Sequence, residues 1–242
     1  MRLGWTVHAS VRAAGDAPPG TTEHVFDVTD AGAVAAAVTS IGELDALVAN
    51  AGIGIAGPLE LLPVEELERQ LDVNVLGQVR VLQAVLPALR RSRGRVVLMG
   101  SISGRSALPF LAGYAMSKFA LEGMADALRI ELAPFGIEVA LIEPGSIATP
   151  IWTKPQEALA GADADILALY RERVARFRAR AAERSAAGAP AEDVAAAVEQ
   201  ALTSTRPRTR YVVGRDAHRR ARVQRLPDRV RDRVLSRFLF GA

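Results

Sequence analysis

The 242-residue chain contains no cysteine, which excludes a disulfide framework, cysteine-ligated zinc and thiol chemistry. Histidine stands only at His8, His24 and His218, and this scatter argues against a histidine metal site. No metal is expected. Neither a leader segment nor an apolar run long enough to span a bilayer is evident, so the chain reads as soluble and cytoplasmic. Aromatic residues are sparse at 5%. Lysine is nearly absent, occurring only as Lys118 and Lys154, with arginine supplying every other cationic side chain of this kind. A lysine retained against such a bias suits a place that needs a compact ammonium; the bland alternative is an ordinary surface cation.

Half of the residues are hydrophobic, mostly Ala, Val and Leu, as helices packed on a buried sheet require. The length allows one domain with a large core. The net charge is +3, and the pI near 9.8 reflects the arginines. Strands are predicted at Trp5–Val11, Glu23–Phe26, Leu44–Ala49, Arg95–Met99, Glu138–Ile142 and Arg210–Val213, alternating with helices as in an α/β protein with a parallel sheet. Apolar residues every three or four positions predict a helix from Pro63 to about Arg90. Others are predicted over Leu111–Ala133 and Ala191–Leu202. Residues 151–188 are rich in Arg and Ala and carry no strand pattern. They are expected to be a helical insertion over the sheet edge, a place for a substrate lid. In that segment Trp152, Leu159, Leu167, Leu169 and Phe177 either line an apolar pocket or form the packed faces of helices. Residues 216–242 form a basic C-terminal helix. Its readings are a solvated helix beside the cleft or an amphipathic helix on an anionic membrane. Nucleic acid is not expected as a partner, because no recognised nucleic-acid fold accompanies the charge.

Small and polar residues follow each strand. "FDVTD" follows the second, "NAG" the third, "GSISG" the fourth and "EPGSIATP" the fifth. In open parallel sheets ligands bind beyond the carboxyl ends of the strands, so these turns mark one functional edge.

The sharpest element is "YAMSK", Tyr114 to Lys118. Residues four apart share a helix face. A phenol ionises near ~10, and a neighbouring cation stabilises the phenolate, making the pair a proton donor and acceptor for a carbonyl or alcohol. Alone, the pair is equally a buried ring beside a solvated lysine. Ser101, thirteen residues earlier, can hydrogen-bond the same substrate oxygen, with Ser103 a near competitor. Asn74, inside a predicted helix, is either a tolerated polar residue or an amide serving a proton relay. Asp27 ends its strand, either to receive an adenine or as a helix cap or turn residue.

In order and spacing, "DV", "NAG", "NVLG", a serine, "YxxxK" and "PGxxxT" resemble the short-chain dehydrogenase/reductase family over residues 4 to about 215. "NAGIGIAGPLE", "LDVNVLGQVRVLQAVLPALRR" and "YAMSKFALEG" look most like its 17β-hydroxysteroid and retinol dehydrogenase branch. The resemblance implies a single Rossmann-like, doubly wound, mostly parallel α/β domain over residues 1–242. It implies a nicotinamide-dependent oxidoreductase acting on a hydrophobic alcohol or carbonyl, and a homodimer or homotetramer. In these terms Tyr114 exchanges the proton, Lys118 lowers its pKa and holds the nicotinamide ribose, Ser101 orients the substrate oxygen, and Asn74 anchors a relay water. Pro144, Gly145, Ile147 and Thr149 hold the nicotinamide end, while Asp27, Val28, Asn50, Ala51 and Gly52 flank the adenosine. Arg12 stands where NADP-using members keep a cation for the 2′-phosphate, and no acidic residue ends that strand, which favours NADP over NAD.

The family's first strand and glycine-rich turn normally precede this pattern, and no G-x-x-x-G-x-G stands before Trp5. In the order 3-2-1-4-5-6 the missing strand is central, so an interrupted or closed-up sheet is expected, with a pyrophosphate site lacking its cradle. The competing reading is a cofactor-free scaffold or interaction protein that keeps residual site residues.

Overall fold

The computed structural model describes residues 4–148, 159 and 161–241. Among the described residues the strands are β1 (His8–Val11), β2 (Thr22–Val25), β3 (Ala46–Ala49), β4 (Arg95–Met99), β5 (Glu138–Pro144) and β6 (Arg210–Val213). The helices are α1 (Ala31–Ile41), α2 (Val64–Leu71), α3 (Gly77–Ser92), α4 (Ala112–Leu132), α5 (Ala164–Ala186), α6 (Ala191–Thr203), α7 (Arg215–Val223) and α8 (Asp228–Phe240). Every strand pairing is parallel.

Strand β4, "RVVLM", is apolar at every central position because both of its faces are covered. Val96 and Leu98 point into a core shared with Leu82, Val85 and Leu89 of α3 and Leu121, Ala125 and Leu132 of α4. Val97, between them, points the other way, onto Ala201 of α6 with Ala140, Ile142 and Tyr211. The two-residue period of a strand thus sorts one run of residues into two cores. Helix α1 starts at Asp30, whose carboxylate accepts the Ala33 N–H at 2.9 Å, a normal N-cap. At the end of α3, Arg93 takes φ 53°. A Cβ on the following Gly94 would lie 2.4 Å from the Asp45 carbonyl, so only glycine fits there.

The sheet is interrupted, as the sequence led us to expect. β1 and β2 form a two-stranded piece, and β3-β4-β5-β6 form a separate four-stranded one. β1 and β3 are not paired, and Val48 on β3 is 39% exposed. The two pieces meet through helices and side chains: α1 packs on α3, and the Val28 methyl sits where a Cβ of Gly77 would come within 2.5 Å.

Three expectations need correction. The first strand begins at His8 rather than Trp5, because its partner β2 begins at Thr22, opposite His8. The stretch from Pro63 to Arg90 is two helices joined by a π-helical turn over Asp72–Leu76, which carries Asn74. Residues 216–242 hold two helices, not one, since Pro227 ends the intervening turn and starts α8. Helix α5 accounts for residues 164–186 of the expected insertion and packs on α8.

Candidate active site

Tyr114 and Lys118 lie in the first two turns of α4, and Ser101 lies in the turn leaving β4. All three are buried. Lys118 Nζ donates to the Met99 carbonyl at 2.8 Å and sits 5.6 Å from the centre of the Tyr114 ring. The Ser101 hydroxyl faces the Tyr114 phenol closely enough to favour its ionised form. Its Oγ also accepts the Ser103 N–H at 3.1 Å and reaches the Pro144 carbonyl at 3.4 Å. Ser103 instead faces Arg220, at 3.4 Å.

Burial pushes the Tyr114 phenol above its usual value; the Ser101 hydroxyl and then the Arg220 charge pull it back. Burial alone lowers Lys118 to about 8, because a single carbonyl replaces little of an ammonium's hydration.

Asn74 is fully buried. Its Oδ1 accepts the Ile53 N–H at 2.7 Å, and its Nδ2 donates to the Ile53 carbonyl at 2.9 Å and to Ser117 Oγ at 3.0 Å. Ser117 Oγ in turn donates to the Tyr114 carbonyl at 2.8 Å. The amide therefore ties the loop after β3 to the helix bearing Tyr114. Two residues not foreseen do similar work: Gln70 Oε1 accepts the Ile55 N–H at 2.7 Å, and Gln78 Nε2 donates to the Ala51 carbonyl at 3.3 Å.

Of the cofactor residues, Arg12 is exposed beyond β1 and its charge acts on Asp27, beyond β2. The Thr29 N–H and hydroxyl, at 2.9 and 2.8 Å, hold the Asp27 carboxyl below the usual carboxylate range. Asp27 is thus a turn residue, and the cap of α1 is Asp30. Asn50 and Gly52 are exposed after β3, Ala51 is half-buried between them, and Val28 is packed on Gly77. Pro144 ends β5 and Gly145 follows it, and Ile147 bridges to Ala189. A Cβ on Gly145 would lie 2.1 Å from Asp216 Oδ1, so any larger residue there would have to displace that carboxylate. Thr149 and Trp152 lie outside the described residues.

These groups fit the two ends of a dinucleotide. Ser101, Tyr114, Lys118 and the Pro144–Gly145 turn converge at one end, and a cation facing the Asp27 turn stands at the other. The described residues hold no G-x-x-x-G-x-G turn for the diphosphate. The glycines of Gly52–Gly57 do not supply one, since Gly57 donates its N–H to the Phe110 carbonyl at 2.8 Å and packs on Leu62 and Leu159.

Around Tyr114 the lining is apolar: Leu108 and Leu111, Phe177 of α5 and Leu239 of α8. Phe110 holds this cluster together, its ring edge-on to Phe177 at 5.5 Å and to Phe240 at 6.3 Å. Its φ of 65° is a left-handed backbone conformation rare for an aromatic residue. Leu167 is half-buried, whereas Leu169 is 80% exposed and lines nothing.

His8 and His24, far apart in sequence, meet with Nδ1 and Nε2 at 2.9 Å. Their scatter therefore did not predict their separation. Even so, no group of three or more His, Asp or Glu able to hold a metal occurs among the described residues.

Comparison with known proteins agrees with this geometry. The family model for short chain dehydrogenases matches residues 7–160. Human 17-beta-hydroxysteroid dehydrogenase type 1 is 42% identical over 80% of this chain and 61% of its own length. The chain thus spans about three fifths of that relative. The NADPH-dependent 3-dehydrocapnine reductase of Ornithobacterium rhinotracheale is 37% identical, over 87% of this chain and 77% of its own. A short-chain dehydrogenase structure from Streptomyces avermitilis superposes with a TM-score of 0.78 at 27% identity, covering 98% of this chain and 88% of that one. Another, from Burkholderia cenocepacia in complex with NADP, gives a TM-score of 0.71 at 25% identity over 97% and 86%. With a matching fold, relatives named as dehydrogenases and reductases, and Ser101, Tyr114 and Lys118 gathered at the ends of β4 and β5, the chain belongs to the short-chain dehydrogenase family.

Proposed function

We propose that this chain carries the catalytic centre of an NADP-dependent oxidoreductase that interconverts a hydrophobic secondary alcohol and its ketone. The observation that carries this reading is the buried contact set of Ser101, Tyr114 and Lys118, walled by Leu108, Leu111 and Phe177. Ser101 orients the substrate oxygen and Tyr114 exchanges its proton. Lys118 holds a positive charge against the ring face, and its Nζ is the group for the nicotinamide ribose. Pro144, Gly145, Ile147 and Thr149 hold the nicotinamide end, and Arg12, Asp27, Val28 and Asn50–Gly52 the adenosine. When bound, the nicotinamide supplies or accepts the hydride. Arg12, with no acidic residue closing β1, favours the 2′-phosphate of NADP, and two relatives or neighbours are described with NADP or NADPH. The apolar lining excludes water from the phenol and suits a steroid-, retinoid- or lipid-like substrate, with α5 as its cover.

No helix among the described residues is long and apolar enough to cross a membrane; we place the protein in the cytoplasm. Exposed Leu76, Met116, Phe119 and Ile130 on and beside α3 and α4 offer the surface of a homo-oligomer.

Titration of NADPH into the chain, with NADH as control, followed by tryptophan quenching or thermal shift, tests the reading. Saturable binding that favours NADPH, then ketone-dependent NADPH oxidation abolished by Tyr114→Phe, is the expected result. A folded chain that binds neither nucleotide favours the scaffold reading, which the unpaired edges of β1 and β3 support.

A further inference from the structure

Helix α7 lies in the arginine-rich C-terminal region, yet two of its side chains reach the site. Asp216 and Arg220 stand one helical turn apart and share a face. Asp216 Oδ2 accepts the Ser146 N–H at 2.8 Å, which fixes α7 against the Pro144–Ser146 turn. Arg220 is half-buried. One arm of its guanidinium donates to the Ser106 carbonyl and to Ser103 Oγ, inside the turn that starts at Ser101. Its Nε has no hydrogen-bond partner.

Partial burial costs the guanidinium hydration and lowers Arg220 to about 10, with the neighbouring Arg184 of α5 adding to the effect. Asp216 and Tyr114 act on it in the opposite sense. Among the described residues, the charged groups that act on Tyr114 include Lys118 on its own helix and Arg220 on α7. Arg184 and Asp216 act through Arg220. α8 contributes Leu235, Leu239 and Phe240, which are apolar. Structural anchoring alone needs no charge; a guanidinium tied to the Ser101–Ser106 turn, whose charge acts on the buried phenol, also stabilises the phenolate.

We propose that Arg220 is a positioning residue for the acid–base step: it holds the Ser101–Ser106 turn in place and sets a second cation, with Lys118, beside the Tyr114 phenol. This rests on reading Tyr114 as the acid–base group. The test therefore follows the ionisation of Tyr114 directly, without cofactor or turnover, so that inactivity of the chain cannot be mistaken for failure of the inference.

The chain is prepared with fluorotyrosine at its three tyrosines, and each phenol is titrated by fluorine NMR. Tyr114→Phe assigns the Tyr114 resonance, and Tyr170 and Tyr211 serve as internal controls. Arg220→Met is expected to raise the Tyr114 midpoint by about one pH unit, with the two controls unmoved, and Arg220→Lys to restore most of the difference. An unchanged midpoint in folded Arg220→Met overturns the proposal. So does a raised midpoint that Arg220→Lys leaves unrestored, since packing rather than charge would then be acting. Should Arg220→Met fail to fold, Arg220→Gln, neutral but still a donor to the Ser106 carbonyl, decides by the same two readings.

Discussion

Lys118 shows what burial does to a single residue. With Nζ on the Met99 carbonyl and the Tyr114 ring beside it, its value falls from 10.5 to about 8. Between those two values the unfolded chain holds a proton that the folded chain does not. Stability attributable to Lys118 therefore rises as pH goes from about 8 to about 10.5, and below about 8 the full burial cost remains. The span corresponds to about 3 kcal/mol as an order of magnitude. Lys118→Met should lack this rise, so urea midpoints of wild type and variant at about pH 7 and about pH 10 should differ by a pH-dependent amount; parallel changes would contradict it. Lys118, Tyr114 and Ser101 were legible because helix periodicity and the strand-end rule place them before any coordinates exist. Arg220 was not. The tail has an arginine on almost every turn, and nothing in the pattern says which one turns inward to Ser103 and Ser106. Asp216 was hidden for the same reason: its role exists only where α7 crosses the Pro144–Ser146 turn.

At the scale of elements, the β1–β2 piece carries its own pH dependence. Burial, and then the charge of His8, lowers His24 from 6.5. The unfolded chain thus takes up this proton more readily than the folded one. Stability from His24 is present above about 6.5 and is lost as pH falls through the lowered value. Amide exchange across residues 8–25, corrected for intrinsic rates, should accelerate relative to β4 and β5 on going from about pH 7.5 to about pH 5. His24→Gln should flatten that difference, and a uniform response across all strands would count against it. The existence and order of the strands were readable, but their ends were not: the first begins three residues and the third two residues later than the sequence pattern says, because pairing with a neighbour decides where a strand starts. The helices were read less well. The π-helical turn at Asp72–Leu76 leaves the apolar spacing almost intact, so periodicity alone merges α2 and α3 into one helix. Pro227 was a visible stop that the charge of the surrounding segment obscured.

For the molecule as a whole, the exposed side chains of Leu76, Met116, Phe119 and Ile130 leave an apolar surface on the face bearing α3 and α4. Light scattering should find a dimer or larger assembly, and Phe119→Glu should shift it toward the monomer without unfolding it; a wild-type monomer at all concentrations would remove that surface from the argument. The division of the sheet was legible because strand order in a doubly wound fold assigns each turn its neighbours. How the two pieces would nonetheless stay together was not, for it depends on Val28 fitting against Gly77 and on α1 meeting α3. That division has a consequence for recognition. Arg12 and Asp27 ride on the two-stranded piece, whereas Ser101, Tyr114, Lys118 and Pro144 ride on the four-stranded one with its helices. A dinucleotide gripped at both ends is then a bivalent ligand, and the second grip is governed by an effective concentration set by how well the pieces hold their spacing. Its affinity would report the alignment of the two pieces, and each molecule bound would act as a splint across the division.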